Sequence, residues 1–211
     1  MYTLYYSPGA CSLIVTCLLE ELGVAYELKK VDLAANEHAG AEYRKLNPKG
    51  KVPALVAPEG VLTECVALIE FLCDKHDASG ELLGRPGSWQ RARTLERIAT
   101  LATEAHPLFN RFFHEDDFAA AKEVREAVKA RGTEKLLAWF RDEDAALTHP
   151  YWSGDTMTVA DLYFMVMARW GRWLEPSALR MTNIEPFFTR MAGRPAVKRA
   201  MEREGIKPFG A

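Results

Sequence analysis

Between Asp77 and Ser88 the sequence turns to glycine, proline and small polar residues, and the spacing of its apolar residues changes across that stretch. Upstream, apolar side chains come in short runs cut by turn residues. Downstream, they recur every three or four positions, as one face of a helix does. Such a change of period restricts the 211 residues to two parts of different class: an α/β part over 1–78 and an all-helical part over 88–211, joined by a linker at 79–87.

Within the first part, Tyr2 to Tyr6 is apolar and aromatic without a breaker, which predicts a strand. Leu13, Ile14, Val15, Cys17, Leu18, Leu19 and Leu22 then cover a broad helical face over 12–22, and Gly23 supplies its stop. Residues 26–33 read as a second strand, so the opening is a βαβ unit with parallel strands. The segment Leu46-Asn47-Pro48-Lys49-Gly50-Lys51-Val52-Pro53 forbids a long helix and predicts a connector. Ala54-Leu55-Val56-Ala57 and Val61-Leu62 flank Pro58-Glu59-Gly60 as a β-hairpin, and Val66, Leu68, Ile69, Leu72 and Cys73 follow at helical spacing. The order expected is βαβ, then ββα.

The second part reads as helix throughout. A first helix runs from Trp89 through Phe112, with Pro107 expected to kink or end it. A second carries Val124, Val128, Leu136, Leu137 and Phe140, with a break expected at Gly132. Residues 159–173 are apolar on nearly all sides and predict a buried central helix. Its start is signalled by Thr158-Val159-Ala160-Asp161, a reciprocal cap with Asp in place of Glu, and by Met157 and Leu162 placed as a hydrophobic staple.

Several function classes are disfavoured. A net charge of −2, with no Lys/Arg block free of acids, argues against nucleic acid as a partner. No apolar run approaches the ~18 residues of a membrane span, and residues 1–6 carry no basic segment leading into an apolar signal core. The four cysteines, Cys11, Cys17, Cys65 and Cys73, include no C-x-x-C and no metal-ligand spacing with histidine. Free thiols in a cytoplasmic protein without metal are the expectation.

One cysteine stands apart. Cys11 follows the Pro8-Gly9 turn at the head of an apolar helix, where unpaired N–H groups and the positive end of the helix dipole favour a thiolate. Tyr6 and Ser12 lie close enough in sequence to donate hydrogen bonds to such an anion, although Tyr6 reads equally well as a core strand residue. Cys17 and Cys73 read as small buried hydrophobes. His38, His76, His114 and His149 default to the surface, and Trp170 with Trp173 to core or cleft wall.

The turn Ser7-Pro8-Gly9-Ala10-Cys11-Ser12, the Asn-Pro-Lys-Gly-Lys-Val-Pro segment at 47–53, Leu62-Thr63-Glu64 before an apolar helix, and the cap at 154–161 occur together in one order. With them the chain resembles a bacterial glutathione S-transferase of the beta class over essentially its whole length. The resemblance implies a thioredoxin-like N-terminal domain that binds glutathione as co-substrate, an all-helical C-terminal domain that walls the site of a small hydrophobic electrophile, and a homodimer. It further implies that Cys11 lies beside the glutathione sulfur and can form a mixed disulfide with it. Val52 would bond the peptide's cysteinyl backbone, with Pro53 as a cis proline. Glu64 would take the γ-glutamyl ammonium, and the Cys65 backbone N–H its carboxylate.

Glu104-Ala105-His106 matches the place where the family lends a histidine to the active-site mouth, so His106 is a catalytic candidate and Glu104 a glutathione contact. His106 could instead cap backbone carbonyls. Two positions depart from the family: Pro107 stands where lysine is usual, and Asn36 lies near a lysine for the glycyl carboxylate, in a loop one residue shorter. Weaker glutathione binding is the expected result. The function implied is conjugation of glutathione to a hydrophobic electrophile. The other functions open to such a chain are thiol–disulfide reduction or peroxide reduction through Cys11, and non-catalytic ligand binding.

Overall fold

The computed structural model describes residues 1–207. Its first strand, β1 (Tyr2–Tyr6), alternates burial residue by residue: Tyr2, Leu4 and Tyr6 face the core while Thr3 and Tyr5 are half-buried. α1 (Ser12–Glu21) is buried from Ser12 through Leu19, and Gly23 follows at φ 64°, a conformation open to glycine. β2 (Tyr26–Lys30) pairs with β1 in parallel register, Leu4 opposite Leu28. It ends three residues earlier than the sequence pattern predicts. Val31 N–H still reaches the Tyr6 carbonyl at 2.7 Å, but the Asp32 carboxylate then accepts the Ala35 N–H at 3.1 Å and closes a turn.

The polar segment that follows contains a helix the sequence reading did not anticipate, α2 (Ala41–Leu46). Only Tyr43 of its six residues is buried, so it has no apolar stripe to betray it. The connector over 47–53 is held from inside: buried Asn47 donates from Nδ2 to the Lys51 carbonyl at 2.6 Å, and Tyr43 donates to the same oxygen at 2.7 Å. β3 (Ala54–Ala57) and β4 (Gly60–Thr63) form the expected hairpin, and α3 (Cys65–His76) completes this part. Strand order is β2-β1-β3-β4, with β3 antiparallel to both its neighbours.

Helical structure then continues through α4 (Trp89–Thr100), α5 (His106–Phe113), α6 (Lys122–Ala146), α7 (Val159–Trp170), α8 (Ile184–Gly193) and α9 (Pro195–Glu204). The disturbance expected at Pro107 is a change of winding between α4 and α5. Leu101–Ala105 is a π-turn in which His106 N–H bonds the Leu101 carbonyl five residues back. Proline has no N–H to donate to the preceding turn, and a π-turn is one way a helix passes such a defect. The break expected at Gly132 is absent, since α6 runs unbroken for 25 residues. Gly132 is there because α5 comes close: a Cβ at that position would lie 3.1 Å from Arg111 Cβ.

α7 is buried in all twelve residues but ends three short of the expected stretch, because Gly171–Trp173 winds as a 3₁₀ turn that leaves Trp173 exposed. Thr158 Oγ1 accepts the Ala160 N–H at 3.3 Å and Asp161 returns the bond by accepting Thr158 N–H at 2.8 Å, a cap of about 1 kcal/mol. Phe164 at its centre lies against Trp152, Trp139 and Phe187.

By compactness, the chain groups Met1–Arg91 with the stretch from Met191 onward, and Ala92–Arg190 by itself. This differs from a division at the 79–87 linker because α9 packs on α1. Arg194 pairs with Glu21 at 2.6 Å, Arg199 and Arg203 pair with Glu20 at 2.7 and 3.1 Å, and Glu204 reaches Thr16 at 2.6 Å. No helix among the described residues is long and apolar enough to cross a membrane.

Candidate functional site

Strand register brings three separate stretches of the first unit together. Tyr5 lies opposite Ala54, and Ala54 opposite Thr63. The chain therefore leaves β1 toward Cys11, enters β3 from Val52 and Pro53, and leaves β4 toward Glu64 and Cys65, all at one end of the sheet.

Cys11 is half-buried and occupies the N-cap position of α1, its carbonyl accepting Ile14 N–H at 3.1 Å. Its Sγ lies 3.3 Å from the Val52 carbonyl oxygen. The Val52–Pro53 peptide is cis. Cys65, first residue of α3, places its Sγ 3.8 Å from the Cys11 carbonyl. Its thiol pKa is pushed well up, first by the hydrogen bond to the Cys11 side chain and then by burial.

Glu64 sits at φ 72°, ψ 121°, a left-handed-side conformation that costs a non-glycine residue roughly 1–3 kcal/mol. Such strain is found where geometry at a site demands it. Here it turns the chain so that α3 begins at Cys65 with its first N–H groups unpaired by the helix itself. The Glu64 carboxylate is exposed and pairs with Lys49 Nζ at 2.5 Å, so the ammonium it meets in this structure belongs to the protein.

Tyr6 and Ser12 are less favourably placed than their sequence positions suggest. Ser12 is fully buried; its hydroxyl donates to the Ser7 carbonyl and accepts the Ser7 N–H, both at 3.2 Å. A hydroxyl has one proton, and this one closes the Ser7 turn rather than pointing to a sulfur. Tyr6 is buried on the core face of β1. Burial, and next the charge of Glu204, raise its pKa, so its phenol stays protonated. Asn36 is exposed at φ 57°, at the head of a short 3₁₀ turn.

A residue with no sequence signal holds the turn itself. Glu204, the last residue of α9 and 4% exposed, accepts the Gly9 N–H at 2.9 Å with one oxygen and the Thr16 hydroxyl at 2.6 Å with the other. The turn that carries Cys11 is thereby fixed from 195 residues away. Nothing local in a charged C-terminal helix announces that one glutamate faces inward.

His106 and Glu104 belong to the second unit. His106 does not cap a carbonyl: its Nδ1 is 2.9 Å from the hydroxyl of buried Tyr163, and its ring meets Trp170 edge-on at 5.2 Å. Glu104 is exposed within the π-turn. Close by, Phe113 stands edge-on to Trp170 at 5.8 Å and to Trp173 at 5.3 Å, and both Phe113 and Trp173 are exposed. Among the described residues no group of three or more potential ligands is placed to hold a metal ion.

Residues 1–74 match the family model described as "Glutathione S-transferase, N-terminal domain", and residues 104–204 the one described as "Glutathione S-transferase, C-terminal domain". The chain is 36% identical over 207 residues to glutathione S-transferase GstA of Escherichia coli O157:H7, covering 97% of this chain and 99% of that protein. Among solved structures it is similar to a sphingomonad glutathione S-transferase complexed with glutathione, with a TM-score of 0.84 and 33% identity, covering 97% and 100% of the two chains. A bacterial beta class glutathione S-transferase of Sphingomonas chungbukensis gives 0.84 and 30%, covering 96% and 98%. The motifs at the sheet end thus sit inside a likeness that runs through both halves of the molecule, and the chain belongs to the glutathione S-transferase family, close to its bacterial beta class.

Proposed function

We propose that the protein binds glutathione at the end of the β2-β1-β3-β4 sheet and conjugates it, through its sulfur, to a small hydrophobic electrophile. The observation that carries this reading is the convergence, by register, of Cys11, the cis Val52–Pro53 peptide and the start of α3. Backbone groups at Val52 supply a strand edge for the cysteinyl part of the tripeptide. N–H groups at Cys65 receive its γ-glutamyl carboxylate, and Glu64 receives the ammonium in exchange for Lys49. Cys11 lies beside the ligand's sulfur.

Conjugation then needs a glutathione thiolate held near an electrophile, which is chiefly positioning and electrostatic stabilisation. On the family resemblance we retain His106 as catalytic, oriented by Tyr163, and Glu104 and Asn36 as glutathione contacts. Tyr6 remains a proton donor, with Ser12 acting through the shape of the turn. The aromatic group Phe113, Trp170 and Trp173 is our assignment for the electrophile's surface. We also propose residues 1–78 and 88–211, joined at 79–87, as the two functional parts, a homodimer, and a cytoplasmic location supported by four free thiols.

Retention on immobilised glutathione, together with conjugation of chlorodinitrobenzene, tests the reading. The expected result is both. Hydroxyethyl disulfide turnover without conjugation would replace it with a reductase, and retention without any turnover with a binding module. Fractionation and sedimentation test location and dimer.

A further inference from the structure

Cys11 and Cys65 reach the same few ångströms of backbone from different elements. Cys65 Sγ lies 3.8 Å from the Cys11 carbonyl, and Cys11 Sγ 3.3 Å from the Val52 carbonyl, so both thiols sit at the sheet end. The Cys65 S–H donates to the Cys11 backbone carbonyl. The remaining cysteines take no part, since Cys17 is fully buried along α1 and Cys73 lies two turns further down α3, 2% exposed.

Exposure separates the two roles. Cys65 is 8% exposed whereas Cys11 is half-buried, so a dissolved disulfide meets Cys11 first. The adjacent Cys11 and burial also keep Cys65 protonated, which withholds it as a first nucleophile. Once Cys11 carries a disulfide, the sulfur beside Cys65 has become an electrophile.

We propose that Cys65 is a resolving thiol for Cys11, converting a mixed disulfide at Cys11 into an intramolecular Cys11–Cys65 disulfide. The oxidant is a low-molecular-weight disulfide, of which glutathione disulfide is the natural member. Cys11 gives up to solvent the proton it shares with the Val52 carbonyl and, as thiolate, attacks one sulfur of that disulfide; the oxidant's S–S bond breaks, a Cys11–S–S–R bond forms, and the first thiolate leaves and takes up a proton. Cys65 then gives its proton to solvent and attacks Cys11 Sγ. The bond to R breaks, the Cys11–Cys65 bond forms, and the second thiolate leaves and is protonated. Two protein thiols have lost two electrons, and one disulfide has become two thiols. Two glutathione molecules reverse the sequence.

This inference uses only two thiols of the first unit and does not rest on conjugation. Its test is covalent: the whole chain is incubated with glutathione disulfide or, separately, with hydroxyethyl disulfide. Remaining thiols are then alkylated, and intact and peptide masses are read. The expected result with both oxidants is a protein lighter by two hydrogens with a cross-linked Cys11–Cys65 peptide, reversed by glutathione. C65S should instead accumulate the mixed disulfide at Cys11, at least fivefold above wild type. A wild-type protein that accumulates that adduct as C65S does, with no cross-linked peptide, would overturn the proposal. Since hydroxyethyl disulfide needs no tripeptide site, failure of glutathione binding would leave that arm readable.

Discussion

Lys49 Nζ lies 2.5 Å from Glu64 Oε1, so the carboxylate proposed to hold the ligand's ammonium is already paired across the sheet end. Both side chains are more than half exposed, and a pair of that kind contributes only about 0.2–1 kcal/mol. A ligand ammonium can displace Lys49 at little cost.

Glu64→Gln should therefore weaken glutathione binding about tenfold, equivalent to about 1.4 kcal/mol. By contrast, Lys49→Ala should shift the dissociation constant by less than about fivefold, the most that an exposed pair supports. Isothermal calorimetry distinguishes the two. Equal losses in both variants would mean that Glu64 serves the site through Lys49 and not through the ligand.

Glu204→Gln keeps the size of the side chain but replaces one acceptor oxygen by a donor amide. Its oxygen can still accept the Gly9 N–H and its amide can donate to Thr16, whose proton then turns to the Ser12 carbonyl at 3.3 Å, so the loss is that of two charge-assisted bonds, about 1 kcal/mol. Chemical denaturation should report that loss, and KM for glutathione should rise with it because the Cys11 turn loosens. An unchanged midpoint would show that the turn holds itself.

Gly132→Ala sets two effects against each other. Alanine favours a helix interior over glycine by about 1 kcal/mol, while overfilling a packed contact costs about 1–3 kcal/mol. The added Cβ would approach Arg111 Cβ to 3.1 Å, a backbone-proximal atom that yields only if α5 moves. Thermal melting should accordingly fall by a few degrees. A rise would mean that α5 shifts freely.

Acid should weaken the docking of α9 through Glu20. Burial alone would raise its pKa, but hydrogen bonds from Arg199, Tyr26 and Arg203 outweigh burial and bring it below the ordinary 4.5. A lowered folded pKa means that the stabilisation is complete above 4.5 and is lost as pH falls through the folded value. Between about pH 5 and 3, wild-type melting temperature should drop more steeply than that of Glu20→Gln. Parallel profiles would remove Glu20 from the account.

What could be read in advance was what sequence neighbours decide together. The strand ending at Tyr6, the apolar helix behind Cys11, the hairpin around Pro58-Glu59 and the Thr158–Asp161 cap each depend on residues a few positions apart. α2 escaped because six residues with one buried side chain have no period, and Gly132 misled because a close approach and a break ask for the same residue. At the site, the glutathione roles came from motif resemblance rather than from physics of the string. The Glu204–Gly9 bond and the Cys11–Cys65 contact join residues 195 and 54 positions apart, and no local pattern encodes such a meeting.

The packing of α9 on α1 also sets an order in time. A ribosome delivers Glu204 195 residues after Gly9 and 188 after Thr16. Throughout elongation the Cys11 turn lacks the carboxylate that fixes it, and α1 exposes the apolar face that α9 will cover. The turn that carries Cys11 thus takes its fixed form only after α9 has emerged.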